Sequence, residues 1–466
     1  MKIEFLGATR EVTGSKHLIT TKKGLKVLLD CGMFQGKGLE TDGMNRDLGF
    51  DPKEIDYLVL SHAHIDHSGL IPYIYKLGFN GTVLCTPATR DLCAIMLADA
   101  GRIQESDTAT FNKKRKTQGL PPVDPIYTEA DARACMCCFI GVPYHKQFNI
   151  EGEMTLEFFD AGHILGSACT YMEIKDGRRK IKLGYTGDIG RYGKQILKDP
   201  EPFPQVDYLI TESTYGDRLH ENLQDAEKEL LMAVLDTCTK KKGKLIIPSF
   251  AIGRAQEIIY TLSRLRDKNL LPDIDTYVDS PLSISATNIM KMHTECFNEG
   301  LVKLMAYDPD PFGFEKLRYV QSVEESKSLN VKNKTCIIIS ASGMMEAGRV
   351  KHHLANNIDN PKTTILCVGY CEPSTLGAKI MRGESPVSIF GRLYPVRADL
   401  RKIEAFSGHG DYEEMLSYLE CQKKSKLKRI FIVHGEASVQ DAYKNTLLER
   451  GYKEVTIPEF RDAVEL

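Results

Sequence analysis

Apolar and polar positions change rhythm along this chain, and the change divides it. Up to residue 212, short apolar or alternating runs dominate, at 2–6, 17–20, 26–30, 56–60, 155–159, 181–185 and 207–211. Alternation with a period of two, or a short apolar run between turn residues, predicts strands. Residues 69–77 have helical spacing, and 88–150 read as largely helical. From 213 the pattern differs. Strands at 244–247, 275–278, 335–339 and 364–367 alternate with helices near 221–238, 253–265 and 347–356. Such alternation predicts a parallel sheet flanked by helices. Past 398, a helix at 411–421 and a strand at 430–433 follow loops of the earlier kind. The expected division is therefore 1–212, an inserted domain at 213–398, and a return at 399–466.

Composition narrows the picture. A chain of 466 residues is too long for one compact core and suits two or three domains. A formal charge of −2 excludes a strongly basic coat, so any nucleic-acid contact must use local patches. No apolar run is long enough to span a bilayer, so no membrane partner is expected. The 13 cysteines are scattered, and residues 1–7 read as a strand rather than a secretory leader. Free thiols in a reducing, cytoplasmic setting are expected. Cys135, Cys137 and Cys138 near His145 lack the two separated pairs of a zinc ribbon and read as thiols packed in a helix. The basic runs at 113–116 and 423–429 read as solvated faces.

The residues able to do chemistry lie just past predicted strand ends. His62, His64, Asp66 and His67 follow the run 56–60 directly. In extended chain, side chains two apart share a side, so His62 and His64 can hold one ion. Asp66 and His67 come where the chain turns and can face a second. Imidazole mixed with carboxylate suits zinc and neighbouring divalent metals. A merely solvated polar loop is the weaker reading, because three histidines and an aspartate crowd into six positions after a buried strand. Asp30 also ends a strand, before Cys31 and Gly32, and is placed to orient a neighbouring site.

The run His62, His64, Asp66, His67 after a strand resembles the signature of the metallo-β-lactamase fold. The order of the segments around Asp30, His62, His163 and Asp188 is similar to that fold throughout. The interrupting α/β stretch, then Ser407-Gly408-His409 and Val433-His434-Gly435, resembles the β-CASP group of nucleases. So do residues 248–257, Asp279-Ser280-Pro281 and Ser340-Ala341-Ser342-Gly343. The resemblance covers essentially the whole chain and points to the bacterial and archaeal RNA-processing branch, related to the endonuclease of mRNA 3′-end cleavage.

The resemblance implies an α/β fold class: a metallo-β-lactamase αββα sandwich with an inserted β-CASP domain. It implies two Zn2+ ions, with other divalent metals open. The first would be held by His62, His64, His163 and Asp188, the second by Asp66, His67, Asp188 and His434. Asp66, Glu212 and His409 would be catalytic, with His409 giving a proton to the leaving 3′-oxygen and Glu212 favouring its imidazolium form. The implied substrate is single-stranded RNA, cut internally, with 5′-3′ exonucleolytic action also open. A homodimer is open too.

In the inserted part, Ser340, Ser342 and Gly343 leave a strand and precede a helix, where backbone N–H groups suit a phosphate. Arg254, Arg349, His352 and His353 would add contacts. The competing view, of a turn glycine with structural side chains, weighs about evenly.

Three other functions compete. A thioester or lactone hydrolase would need neither the insertion nor Glu212 with His409. A catalytically inactive RNA-binding subunit would lack ligands, and here the set is complete. In the DNA-acting branch the position of His434 is usually apolar, so a DNA nuclease is the less favoured reading.

Overall fold

The computed structural model describes the chain except residues 37, 38, 221, 222, 333, 370, 372, 373 and 404, and the side chains of 39, 223 and 224. Glu221, where a helix is expected to start, lies outside the described residues. The chain forms two compact units. One comprises Met1–Gly193, Leu197–Leu219 and His409–Leu466, the other Lys194–Ile196 and His220–Gly408.

Among the described residues, the first unit holds two seven-stranded sheets. In one, the order is Ala463–Glu465, Lys2–Phe5, His17–Thr20, Lys26–Leu29, Tyr57–Val59, Thr82–Cys85 and Phe139–Gly141. In the other it is Val455–Thr456, Arg429–Ile432, Tyr208–Thr211, Arg179–Tyr185, Ala168–Asp176, Met154–Asp160 and Phe148–Ile150. Ile3, Phe5, Leu29 and Val59 of the first sheet share a buried cluster with Leu156, Phe158, Leu183 and Phe431 of the second, so the sheets pack face to face. Each fully buried Leu or Phe there contributes about 1.5–3 kcal/mol. The outer face of the second sheet, with Leu209 and Ile432, is covered by Met415 and Leu419 of helix Tyr412–Leu419 and by Tyr443 and Leu447 of helix Ala437–Glu449. Against the first sheet lies helix Pro87–Thr117, whose Ala88, Leu92, Cys93 and Leu97 are buried. Its start is built into the sequence: Thr86 accepts a hydrogen bond from the Thr89 amide, and Pro87 occupies the first turn. The result is the expected αββα sandwich.

Among the described residues, the second unit contains a six-stranded sheet in the order Leu317–Tyr319, Thr276–Val278, Cys336–Ser340, Lys244–Pro248, Thr364–Cys367 and Asp399–Lys402. Every pairing in it is parallel. Central strands such as Lys244–Pro248 and Cys336–Ser340 are buried along their whole length, as a sheet covered on both faces requires. Pro248 stands opposite Ser340, so the loops after both strands leave at the same edge.

Some expectations shift. Residues 139–141 and 148–150 are strands, not helix. Three residues are too few to display an alternating pattern, and only pairing with Thr82–Cys85 and Met154–Asp160 identifies them. Strand Asp399–Lys402 keeps the chain in the second unit past 398. Its sequence is mostly charged, with Asp399 and Arg401 in ion pairs to Lys241 and Asp236, so no hydrophobic rhythm marks it. The helix expected at 347–356 runs Val350–Asn357, because Ala347 is tied back to Ser342.

Candidate metal centre

Strand ends on the two sheets of the first unit converge their loops on one cluster. His62 and His64 follow Tyr57–Val59, and Asp66 and His67 sit on the single helical turn Ile65–Ser68. His163 follows Met154–Asp160, Asp188 follows Arg179–Tyr185, and His434 follows Arg429–Ile432.

Among the described residues three donor groups result; two match the expected ion positions, and the third, Asp188, Glu212 and His434, overlaps the second and brings the Glu212 carboxylate within its reach. In the first, His62 Nε2 and His163 Nε2 each lie 3.2 Å from His64 Nδ1. Asp188 Oδ2 is 3.4 Å from His62 Nε2 and 3.6 Å from His163 Nε2. In the second, His67 Nε2 lies 3.1 Å from His434 Nε2, which is 3.4 Å from Asp66 Oδ2. Asp188 turns its other oxygen here, with Oδ1 3.3 Å from His67 Nε2 and 3.6 Å from His434 Nε2. Ligands at about 2.0–2.1 Å from one tetrahedral zinc stand about 3.3–3.4 Å apart, so both groups have the right spacing. Asp188 Oδ1 is buried and has no hydrogen-bond partner among the described residues, a costly state for a carboxylate unless a cation takes it. The donor set therefore fits two divalent ions sharing Asp188.

The charge states divide the ligands: burial disfavours the His67 imidazolium, but Asp188 and Asp30 raise it well above the ordinary range, so His67 must give up a proton when an ion binds. Burial holds His62, His64 and His163 below the ordinary histidine range, His64 at about 4, so the imidazoles are neutral and ligand-competent. For Asp66 and Asp188, burial opposes ionisation, but His434 and His67 outweigh it and keep both well below the usual carboxylate range.

A supporting layer orients the ligands. Asp30 is wholly buried, and its Oδ2 accepts from His67 Nδ1 at 2.6 Å, Tyr185 OH at 2.6 Å and Ser61 Oγ at 2.8 Å. Its Oδ1 accepts from the Ser61 amide at 2.7 Å. Ser15 Oγ meets Tyr185 OH at 3.0 Å, and Thr214 Oγ1 meets His434 Nδ1 at 2.9 Å. Backbone hydrogen bonds hold the ligand loops: Ser15 N–H donates to Asp66 O, and His434 N–H to Ala8 O. His434 adopts φ +52°, unusual for a residue with a Cβ and typical of functional positions. Tyr185, Ser15 and Thr214 are partners that motif reading missed. Their only sequence signal is adjacency, Tyr185 three residues before Asp188 and Thr214 two after Glu212.

Glu212 and His409 meet beside the metal ligands. His409 Nδ1 lies 3.2 Å from Glu212 Oε2 and 3.8 Å from Asp188 Oδ2. Glu212 is also held by the Ile189 and Thr214 amides. Burial disfavours the His409 imidazolium, but Glu212 and Asp188 prevail and raise it above the ordinary range.

The second unit treats its candidates differently. Ser340 Oγ donates to Asp279 O, and Ser342 Oγ engages Ala347. Gly343 packs against the Phe250 ring, where a Cβ would come within 2.9 Å. Arg254 Nη1 pairs with Glu257, while its buried Nε has no partner among the described residues. Arg349 and His353, expected beside a phosphate, both engage Asp279. Arg349 Nη1 binds Asp279 Oδ1 at 2.6 Å, and His353, fully buried, binds Asp279 Oδ2 at 2.6 Å and Asn330 at 2.9 Å. A buried carboxylate must be compensated, and Asp279 takes both groups for that purpose. His352 is exposed and stacks on Phe390. Cys135 is buried near a helix end, Cys137 is exposed, and the 13 cysteines are free. No helix among the described residues is long and apolar enough to cross a membrane.

Comparison with known proteins finds three family matches, whose limits differ from those of the two units. Residues 14–249 match the metallo-beta-lactamase superfamily, 255–380 the Beta-Casp domain, and 393–458 the Zn-dependent metallo-hydrolase RNA specificity domain. A ribonuclease of Thermus thermophilus is 34% identical over 464 residues, covering 100% of both chains. An RNase J-like protein of Methanocaldococcus jannaschii is 32% identical, covering 98% of this chain and 97% of its own. The transcription termination factor FttA of Methanosarcina mazei is 31% identical over 94% of this chain and 67% of its own.

Proposed function

The chain belongs to the β-CASP ribonuclease group of the metallo-β-lactamase superfamily, a group of metal-dependent hydrolases, and from that premise we propose that it hydrolyses phosphodiester bonds of single-stranded RNA. The observation that carries this reading is the pair of donor groups joined through Asp188, with Glu212 and His409 at their side. His62, His64, His163 and Asp188 would hold one Zn2+ ion, and Asp66, His67, Asp188 and His434 the other. Two such ions would supply an activated water near neutral pH and positive charge for a phosphoryl oxygen.

The remaining steps belong to the protein. Glu212 holds His409 by Nδ1, so the proton given to the departing 3′-oxygen leaves from Nε2. Asp66, kept ionised, also orients the reacting water. Asp30, through His67, keeps the second set of donors aligned. The match of 393–458 to an RNA specificity domain supports RNA over DNA, as does a histidine at 434. Internal cleavage is the proposed mode, and the free cysteines support a cytoplasmic setting.

The test uses the zinc-loaded full chain and one unpaired RNA labelled at either end, sampled over time, with the same sequence as DNA in parallel. Internal fragments from RNA, abolished by a chelator, are expected. Cleavage of DNA alone, or turnover of a simple thioester or lactone while RNA stays intact, would overturn the reading.

A further inference from the structure

The second unit carries a small hairpin, Val387–Ile389 paired with Arg392–Tyr394, turned by Phe390 and Gly391. Both turn residues have positive φ, +52° at Phe390 and +76° at Gly391. A two-residue turn of this kind selects Asn-Gly or Asp-Gly, since bulky side chains are disfavoured at positive φ. Phenylalanine is thus a poor choice for the turn. Nor does burial compensate, for Phe390 is 54% exposed while its strand neighbours Val387 and Ile389 are buried.

What surrounds Phe390 is specific. The His352 ring lies 4.6 Å from it, tilted by 33°, and Lys351 Nζ lies 5.2 Å from its centroid. Arg392 is exposed one residue beyond the turn. Partial desolvation of its ring, with His353, Lys327 and Lys351 nearby, keeps the exposed His352 below the ordinary range, which favours a neutral aromatic face. Both Lys351 and His352 lie in the first turn of helix Val350–Asn357, which residues 344–349 join to the Ser340–Gly343 loop, and Val350 N–H donates to Ala341 O. An aromatic pair with a lysine ammonium against it matches the chemistry of an unpaired nucleotide, a π-surface joined to an anion.

We propose that Phe390 and His352 form a stacking platform for a base of the single-stranded RNA, with Lys351 and Arg392 meeting the adjoining phosphates. This rests on the ribonuclease reading for its ligand, and it adds a base contact outside every residue assigned to the metal centre. A docking surface for another protein is the outcome that the test must exclude.

Phe390→Asn is the informative variant, because it creates the preferred Asn-Gly turn and should leave the melting temperature unchanged or higher. Binding is read by fluorescence anisotropy on a Glu212→Gln background, with adenosine, uridine and abasic oligoribonucleotides of equal length. The chain that retains Phe390 should favour adenosine over uridine over the abasic strand. Phe390→Asn should weaken adenosine binding about ten-fold, leave the abasic strand unchanged, and be rescued by Phe390→Tyr. Equal affinity with and without the Phe390→Asn change on all three strands would overturn the platform, as would an equal loss on all three. A lowered melting temperature with base preference intact would assign Phe390 to packing or to a protein contact instead. Binding needs no cleavage, so a failed ribonuclease reading would appear separately, as uncut RNA with the otherwise unaltered chain.

Discussion

Asp30 Oδ2 lies 2.6 Å from Nδ1 of His67, and that contact decides which ring nitrogen of His67 faces the metal donors. With the proton on Nδ1, the Nε2 lone pair points to His434 and Asp188. Asp30→Asn would present an amide donor to groups that already donate. Affinity for the second metal is expected to fall about 10–100-fold, the usual range for such outer partners. Zinc competition with a calibrated chelator measures it. Unchanged affinity for both ions would remove Asp30 from this role.

His434 and His409 occupy similar glycine-flanked loops but face different partners. His434→Ala should lose occupancy of one metal in a way that depends on free zinc concentration. His409→Ala should keep both metals and lower single-turnover cleavage by about 10²–10⁴-fold, the range for a general acid. Metal content by mass spectrometry on the same preparations separates them. Loss of metal from His409→Ala, with both ions retained in His434→Ala, means that the roles are reversed.

Glu212 meets His409 at Nδ1, so Glu212→Gln should resemble His409→Ala in rate. The double variant should be little slower than either single one, because groups acting as a unit are not additive. Fully multiplicative losses would mean that Glu212 acts independently of His409.

Gly32 is packed against the backbone of the metal loop. A Cβ there would stand 1.6 Å from Asp66 O and 2.7 Å from His67 N. Gly32→Ala should therefore displace the turn carrying Asp66 and His67 and destabilise the fold by about 1–3 kcal/mol, as overpacking does. Weaker zinc binding at the Asp66 side should accompany it. Wild-type stability and zinc affinity together would show that the turn moves at no cost.

Lys16 sets a pH dependence. It is fully buried, with Nζ donating to Gly14 O and Gly32 O at 3.0 Å over the Phe34 ring. Burial lowers its pKa from 10.5 to about 8, with Cys31 and Glu11 pulling the other way. Above 10.5 the group is neutral folded and unfolded, and contributes nothing. Between about 8 and 10.5 only the unfolded chain takes the proton, so stability rises with pH across this window. Below about 8 the folded chain carries the buried charge at its full cost, about 3 kcal/mol. Urea unfolding across the window should show a steeper pH slope for the wild type than for Lys16→Met. Identical slopes would contradict the assignment.

Most of the metal centre was legible in the sequence because its signal is local. His62, His64, Asp66 and His67 lie within six positions, and extended chain places the first two on one side. His163, Asp188, Glu212 and His434 each follow a strand whose apolar run marks where the chain emerges. Hydrophobic rhythm likewise marked the strands and the parallel sheet, since burial on one face or both leaves periods of two or continuous apolar runs, whereas the sandwich followed from the family resemblance.

Only the tertiary structure decided which polar groups meet. Tyr185 reaches Asp30 across 155 positions, and His353 reaches Asp279 across 74. No local spacing encodes such pairs, because they arise from the packing of separate elements and the demand that a buried carboxylate find donors. That demand holds His353 in the interior and draws the half-buried Arg349 onto the same carboxylate, where motif reading had placed both toward a phosphate. The charged strand Asp399–Lys402 and the exposed Phe390 were hidden for the same reason. Sequence pattern reports which side chains avoid water, while strand pairing and side-chain direction depend on neighbours that are distant in the chain.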